Sequence, residues 1–398
     1  MTSEQRGSAL ASALRMDWLD RDRARAYART VLATTLAVAL LRVAMAWFGA
    51  GPLGFPIHSD FVSFWAASKL ALGGHPETVY SAELHWNTER LALPNTLYSA
   101  FLYPPVWLLF CLPLALLPFW WSLAAFMAAT GWAYWWVMRR TLPGAGVAFL
   151  AYPAVVTNLV YGQNGLLTTA LFGGGLLALV RRPWVAGLCF GCLAYKPHLG
   201  AVVPIALIAG RHWRALAATA ATGIALLAAT AALFGVGTWQ AFLAEAPFAR
   251  SVLEHGLVTQ IGWESFFRAV VQLGGGVPLA YTAQGAVAVV ALVALVVGCR
   301  RRPDSIMAML PLATVMCSPF LLAYDLALLA LPMAWLVREA LAQGFRPWDK
   351  PVLCVAFIVP VASVIAAQAG MPFVGPATMA ALFVATTLAW MRRPAPQP

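Results

Sequence analysis

The sequence predicts an all-α polytopic membrane protein. Of its 398 residues, 61% are hydrophobic and only 10% are charged, and the mean hydropathy is +0.75, a balance no soluble domain can bury. The apolar runs are continuous and about twenty residues long, the length a helix needs to cross a bilayer core. A membrane β-barrel would instead need strands of roughly ten residues with alternating polarity. The Lys and Arg residues behind the net charge of +11 sit in short clusters at the ends of apolar runs. There they report orientation rather than a nucleic-acid-binding stripe. The expected surroundings are therefore lipid bilayer, with no nucleic acid partner.

Taken in order, residues 1–29 form an Arg-rich tail without a small-residue cleavage site, expected to be cytoplasmic and followed by a retained helix. Arg21, Arg23, Arg25 and Arg29 place the start of that helix, residues 30–49, inside. The polar stretch 51–100 then forms a first external loop. Further basic clusters follow at Arg139 and Arg140, Arg181 and Arg182, Arg211 to Arg214, Arg300 to Arg302, Arg338 to Lys350, and Arg392 and Arg393. Most lie inside if two apolar segments separate consecutive clusters. The turns between them are Tyr161-Gly162-Gln163-Asn164-Gly165, Lys196-Pro197-His198, and Ser318-Pro319 running to Tyr324-Asp325. All three then fall on the same face as Asp60. Parity requires the segment 102–118 to cross only partly, before a full crossing by 119–138. The stretches 183–195 and 198–210 are short for a core of about 30 Å and read as tilted or dipping partners. Residues 235–281 form a second external loop, and 392–398 a C-terminal tail. The total for the membrane domain, 30–391, is about eleven to thirteen segments.

Chemistry concentrates on the outer face. Between Asp22 and Asp304 every acidic residue (Asp60, Glu77, Glu83, Glu89, Glu245, Glu254, Glu264) lies in the two external loops. Only Asp325 falls within an apolar segment. Asp60, in His58-Ser59-Asp60-Phe61, stands between the first apolar segment and an amphipathic one. A carboxylate at the mouth of a membrane bundle is a site candidate by default, and an N-cap of the following helix is its ordinary structural role. The six cysteines lie in or beside apolar segments, where thiols act as small buried hydrophobes, so no disulfides are expected. Cys189-Phe-Gly-Cys192 has metal-site spacing but no second pair, so no metal site is expected.

The residues resemble glycosyltransferase family 87, the polyprenyl-phosphate-mannose-dependent enzymes of the GT-C superfamily. The likeness rests on Asp60-Phe61 with Phe64-Trp65-Ala66-Ala67, then Leu72-Gly73-Gly74-His75-Pro76 with Val79-Tyr80. It continues through Tyr103-Pro104-Pro105, residues 113–118, Gly162-Gln163, Ala186-Gly187 leading to Lys196-Pro197-His198, and Ser318-Pro319 with Tyr324-Asp325. The resemblance implies a GT-C-type bundle and an inverting transfer of a hexose, with mannose expected. It implies that the acidic residue of the first loop, Asp60, is the base. The donor would be a polyprenyl-phosphate-linked sugar, a co-substrate rather than a cofactor, and the acceptor a glycan or glycolipid hydroxyl outside a bacterial inner membrane. A carboxylate near the interface suits that role, since it can take the acceptor proton as polyprenyl phosphate leaves.

Lys196 is the candidate phosphate contact, being the only Lys between Lys69 and Lys350; a snorkelling helix-end Lys is the alternative. His198 either donates to the same phosphate or caps its turn. Gln163 holds the family's position for binding sugar hydroxyls, although Gly-Gln-Asn-Gly is also ordinary turn chemistry. Tyr103 either shapes the donor pocket or anchors at the interface. Asp325 orients the base or, more simply, forms an ion pair with Lys196. His58 completes the substrate-binding candidates with Arg268. Near Arg268, Trp263-Glu264-Ser265 departs from the family's Asn-Gln-Ser-like element, which leaves acceptor recognition open. The competing readings are a lipid-linked-sugar flippase or other transporter, which would place ionisable groups along a path, and a non-catalytic scaffold.

Overall fold

The computed structural model describes residues 14–47, 59–257 and 262–392; His58 lies outside them. Among the described residues the chain is helical, with one isolated antiparallel bridge between Trp263 and Leu322. An all-α membrane protein is what the composition predicts, because only internally hydrogen-bonded helices satisfy these backbones in lipid.

Helix α1, Arg21–Trp47, begins nine residues before the expected start. The carboxylate of Asp20 accepts the backbone N–H groups of Asp22 and Arg23 at 3.0 and 2.8 Å and so caps the Arg-rich turn. The first loop is built from α2, Ser59–Leu72, and α3, Ala82–Ala92. On α2, residues Phe61, Val62, Phe64, Trp65, Ala66 and Ala67 are all buried, so this helix is part of the core rather than a surface arm. Next, α4 is only Pro105–Cys111, a rise of about 10 Å, and α5, Phe119–Thr141, is a full-length helix ending on Arg139 and Arg140. The stretch 102–118, expected to cross only partly, thus holds a helix of seven residues, too short to span a bilayer core by itself.

From there the chain shuttles between two ends. Helix α6, Pro153–Tyr161, leads to the Gly162–Gly165 turn, and α7, Gly165–Ala178, runs away from it to Arg181 and Arg182. Helix α8, Pro183–Cys192, returns to Lys196, and α9, Val202–Ala209, departs again. Helix α10, Trp213–Ala244, is broken at Gly235, whose φ of 78° is outside the helical range. It is followed by α11, Ala246–His255, and α12, Phe266–Gln272. The second loop is therefore mostly helical. Helix α13, Val277–Arg301, descends to α14, Ile306–Cys317, which rises to a buried 3-10 segment, Ala323–Leu329, and the chain closes with α15, Ala330–Gln343, α16, Asp349–Gln368, and α17, Val374–Trp390.

Three helical stretches among the described residues are long and apolar enough to cross a bilayer unaided: Trp213–His255, Val277–Arg301 and Asp349–Gln368. Six more apolar helices have 10–17 residues. Of these, α14 lies inside: every residue from Ile306 to Met316 is buried, the mark of a helix that is apolar all round, whereas α8 keeps Trp184 and Leu188 exposed. Helices α8 and α10 pack through Gly187 and Gly191, where any β-carbon would collide with Ala218 and Thr222. This is the small-residue contact that brings membrane helices close. All six cysteines are free.

The basic clusters meet at one end. Lys350 donates to the carbonyls of Met16 and Leu19, both at 2.9 Å, and Arg302 pairs with Glu339. Arg392 reaches the carbonyl of Gly344. At the other end lie the polar turns.

Candidate active site

Gln163 sits between two glycines with a geometric reason for each. Gly162 has φ +64°, and a β-carbon there would strike Phe61; one on Gly165 would meet the Tyr324 carbonyl at 2.5 Å. The turn is thereby pressed between α2 and the 3-10 segment. A carboxylate only accepts, so Gln163 turns its amide N–H toward Asp60, donating to Oδ2 at 2.8 Å. Its carbonyl oxygen accepts from the Asn164 backbone N–H at 3.1 Å and from the Tyr103 hydroxyl at 3.3 Å. Asp60 lies in the first turn of α2, where the helix dipole favours a carboxylate; it is inside the helix rather than its cap, and half-buried.

Lys196 stands at the break between α8 and the following turn, with backbone φ −127° and ψ 71°. Its ammonium donates to Asp325 Oδ1 at 2.6 Å, with both side chains no more than 3% exposed. The expected ion pair is present. The same ammonium lies 5.1 Å from the Tyr324 ring centroid and 6.0 Å from that of Tyr103, a cation between aromatic faces. Through Gln163 the Tyr103 hydroxyl is tied to Asp60, and its ring lies beside the ammonium that holds Asp325. Asp325 is held by its backbone: Asn158 donates to the Tyr324 carbonyl at 2.9 Å and Tyr152 to that of Leu326 at 2.9 Å. The floor is aromatic, with Tyr195 and Trp107 at 4.7 Å and the Tyr195 hydroxyl 2.7 Å from Thr168.

His198 is half-buried beside this group, its ring 6.1 Å from Phe320. Arg268 is not in the cluster. Its guanidinium donates to the carbonyls of Leu253 and Glu254, both at 3.1 Å, and lies over the Trp263 ring at 5.4 Å. It closes the C-terminus of α11, where a cation complements the exposed carbonyls. The neighbouring Glu264 is buried, accepts from Ser363 at 2.6 Å and fills the notch left by Gly375. Burial pushes its carboxyl up to about 8, so it is carried largely neutral at pH 7. With Glu264 N–H bonded to the Leu321 carbonyl at 2.9 Å and Ala323 N–H to that of Gly262 at 3.0 Å, the second loop is stitched to the strand-like approach to Asp325. The first loop has its own buried pair, His85 and Glu89 at 3.4 Å, with Ser63 of α2 at 3.0 Å from the same imidazole nitrogen. Burial pushes the Glu89 carboxyl up, against the opposing effect of His85.

Asp60, Tyr103, Gln163, Lys196 and Asp325 are thus brought together, with His198 alongside. Sequence reasoning missed Asn158, Tyr152, Tyr195 and Trp107; their polar atoms and rings sit in apolar runs that read as ordinary helix. Only Tyr324 carried a signal, its place next to Asp325. Among the described residues no three His, Cys, Asp or Glu side chains gather as a metal site.

No curated protein and no solved structure matches the chain. Residues 101–323 match the model of one family, Glycosyltransferase family 87. That stretch contains Tyr103, Gln163, Lys196, His198 and Arg268. It starts after Asp60 and stops before Asp325, so the match is narrower than the resemblance at both ends, mostly at the N-terminal one. The hydrogen bond from Gln163 and the ion pair from Lys196 attach both carboxylates to the matched region. Because the matched stretch is more than half of the molecule, and holds Tyr103, Gln163 and Lys196 of the cluster, the chain belongs to glycosyltransferase family 87.

Proposed function

We propose that this glycosyltransferase transfers a hexose, with mannose the expected sugar, from a polyprenyl-phosphate donor to an acceptor hydroxyl with inversion at C1. The observation that carries the proposal is the hydrogen-bonded run from Asp60 through Gln163 to Tyr103, beside the Lys196–Asp325 pair. It joins a carboxylate, a cation and amide donors in one cluster. Asp60 takes the proton of the acceptor hydroxyl while that oxygen attacks C1; the C1–O bond to phosphate breaks, and polyprenyl phosphate leaves with the electron pair. Gln163 orients the base. Lys196 attracts the phosphate and shares its charge between that group and Asp325, with His198 as a further donor. The acceptor is a glycan or glycolipid. The excess of Lys and Arg at the opposite end supports an external active site on a bacterial inner membrane. Ionisable groups gathered at one end, rather than spaced along a path, weigh against a flippase.

The test is Asp60→Asn, which keeps the shape and an oxygen able to accept from Gln163. Transfer from polyprenyl-phosphate-mannose is expected to fall by roughly 10²- to 10⁴-fold, with the unfolding temperature retained. Undiminished transfer would remove Asp60 as the base. A parent protein that turns over a glucosyl or arabinosyl donor and not the mannosyl one would correct the sugar.

A further inference from the structure

A second polar constellation lies at the far end of α5. Trp135, Trp136, Arg139, Arg140, Pro143 and Gly144 line a cleft of about 610 Å³. The two guanidiniums lie over indole rings, Arg139 at 4.7 Å from the Trp135 centroid and Arg140 at 3.6 Å from that of Trp136. Both arginines are exposed. Two arginines at this end of the bundle are neutralised, Arg302 by Asp304 and Glu339 and Arg346 by Asp349. Among the described residues Arg139 and Arg140 meet no carboxylate in this way. Arg21 of α1 adds a third cation, its guanidinium 3.2 Å from where a β-carbon on Gly144 would sit.

The cleft is distinct from the active site. Phe119, at the start of α5, packs on Phe61 with centroids 5.6 Å apart, next to Asp60. Twenty residues of helix separate it from Arg139, a rise of about 30 Å, one bilayer core.

We propose that this cleft binds the headgroup of an anionic phospholipid in the leaflet opposite the active site. Three unneutralised guanidiniums complement a phosphodiester, which Arg can grip with two parallel N–H donors. The indoles are the amphipathic side chains that sit at headgroup level. Trp132, one turn before Trp136 and 63% exposed, extends the aromatic surface toward the acyl chains. Basic recesses between membrane helices take such headgroups, and the volume is that of a small-ligand site.

The experiment compares purified wild type with the Arg139→Gln/Arg140→Gln variant in mild detergent, by native mass spectrometry and thermal unfolding. The probes are phosphatidylglycerol, phosphatidylcholine and inorganic phosphate. Wild type is expected to retain phosphatidylglycerol and unfold at higher temperature with it, and to respond to neither of the other two. The variant is expected to lose at least tenfold in phosphatidylglycerol affinity and to keep its transferase activity in detergent. Equal affinity in the variant, equal binding of phosphatidylcholine, or displacement of the lipid by millimolar inorganic phosphate would each overturn the proposal. Should the Gln variant fail to fold, Arg139→Lys/Arg140→Lys takes its place: it keeps the charges and loses the planar fork, and unchanged affinity there would also overturn it.

Discussion

Gln163 and Lys196 divide the work at the candidate site, and each depends on a partner far away in the chain. Lys196 and Asp325 are buried together, so removing one leaves the other as an uncompensated charge. Lys196→Met is expected to cost about 3–5 kcal/mol in stability, whereas Lys196→Met/Asp325→Leu, which removes both charges, recovers most of it. Unfolding in detergent measures this. Transfer should stay lost in the double variant if the ammonium meets the donor phosphate; recovered transfer would reduce Lys196 to a structural ion. Glu264 and Arg268 are the opposite case: both are polar residues of the second loop that the fold spends on holding itself together, the first in the Gly375 notch and the second on the end of α11. That is where the residues depart from the family's usual element, and the position now has a structural use.

At the level of elements, the short helices are the ones that carry the chemistry. Helix α8 delivers Lys196 by returning from Arg182 along α10, and its closeness to α10 rests on glycines. Gly187→Leu forces a side chain into Ala218 and the Ala215 carbonyl and is expected to destabilise by about 1–3 kcal/mol. Gly223→Ala, on α10 itself, where nothing lies within 4 Å of the new β-carbon, should be neutral or stabilising by up to about 1 kcal/mol through helix propensity. Thermal unfolding of the two variants checks the contrast. If both behaved alike, close packing would not be what sets the position of α8. The 3-10 segment bearing Asp325 is similarly constrained. It is held by the second loop on one side and by Asn158 and Tyr152 on the other, so its irregular backbone is satisfied where lipid cannot reach it.

The whole molecule has two chemically different ends, one with the polar turns and the Asp60 and Asp325 carboxylates, the other with the cationic clusters. If the cationic end faces the cytoplasm, a membrane-impermeant maleimide on intact cells should label Leu97→Cys above the wild-type background. Arg181→Cys should be labelled only after permeabilisation. The reverse pattern would invert the proposed orientation. Much of this layout was legible in the residues: helical class from hydropathy, the grouping of Asp60, Gln163, Lys196 and Asp325 from counting charges, and a short helix before the full-length α5. Less legible were the start of α1, which Asp20 moves forward by capping an Arg-rich turn, and the helical character of the second loop. Alone, the sequence determined class, the segregation of charge and the polar turns, because these follow from local periodicity and from bilayer thickness. Only the tertiary structure decided the pairings, because Asp60 and Gln163 are 103 residues apart and Lys196 and Asp325 are 129 apart. Which of several compatible polar groups meet at those separations is set by how glycines let helices approach and by which carbonyls need a donor.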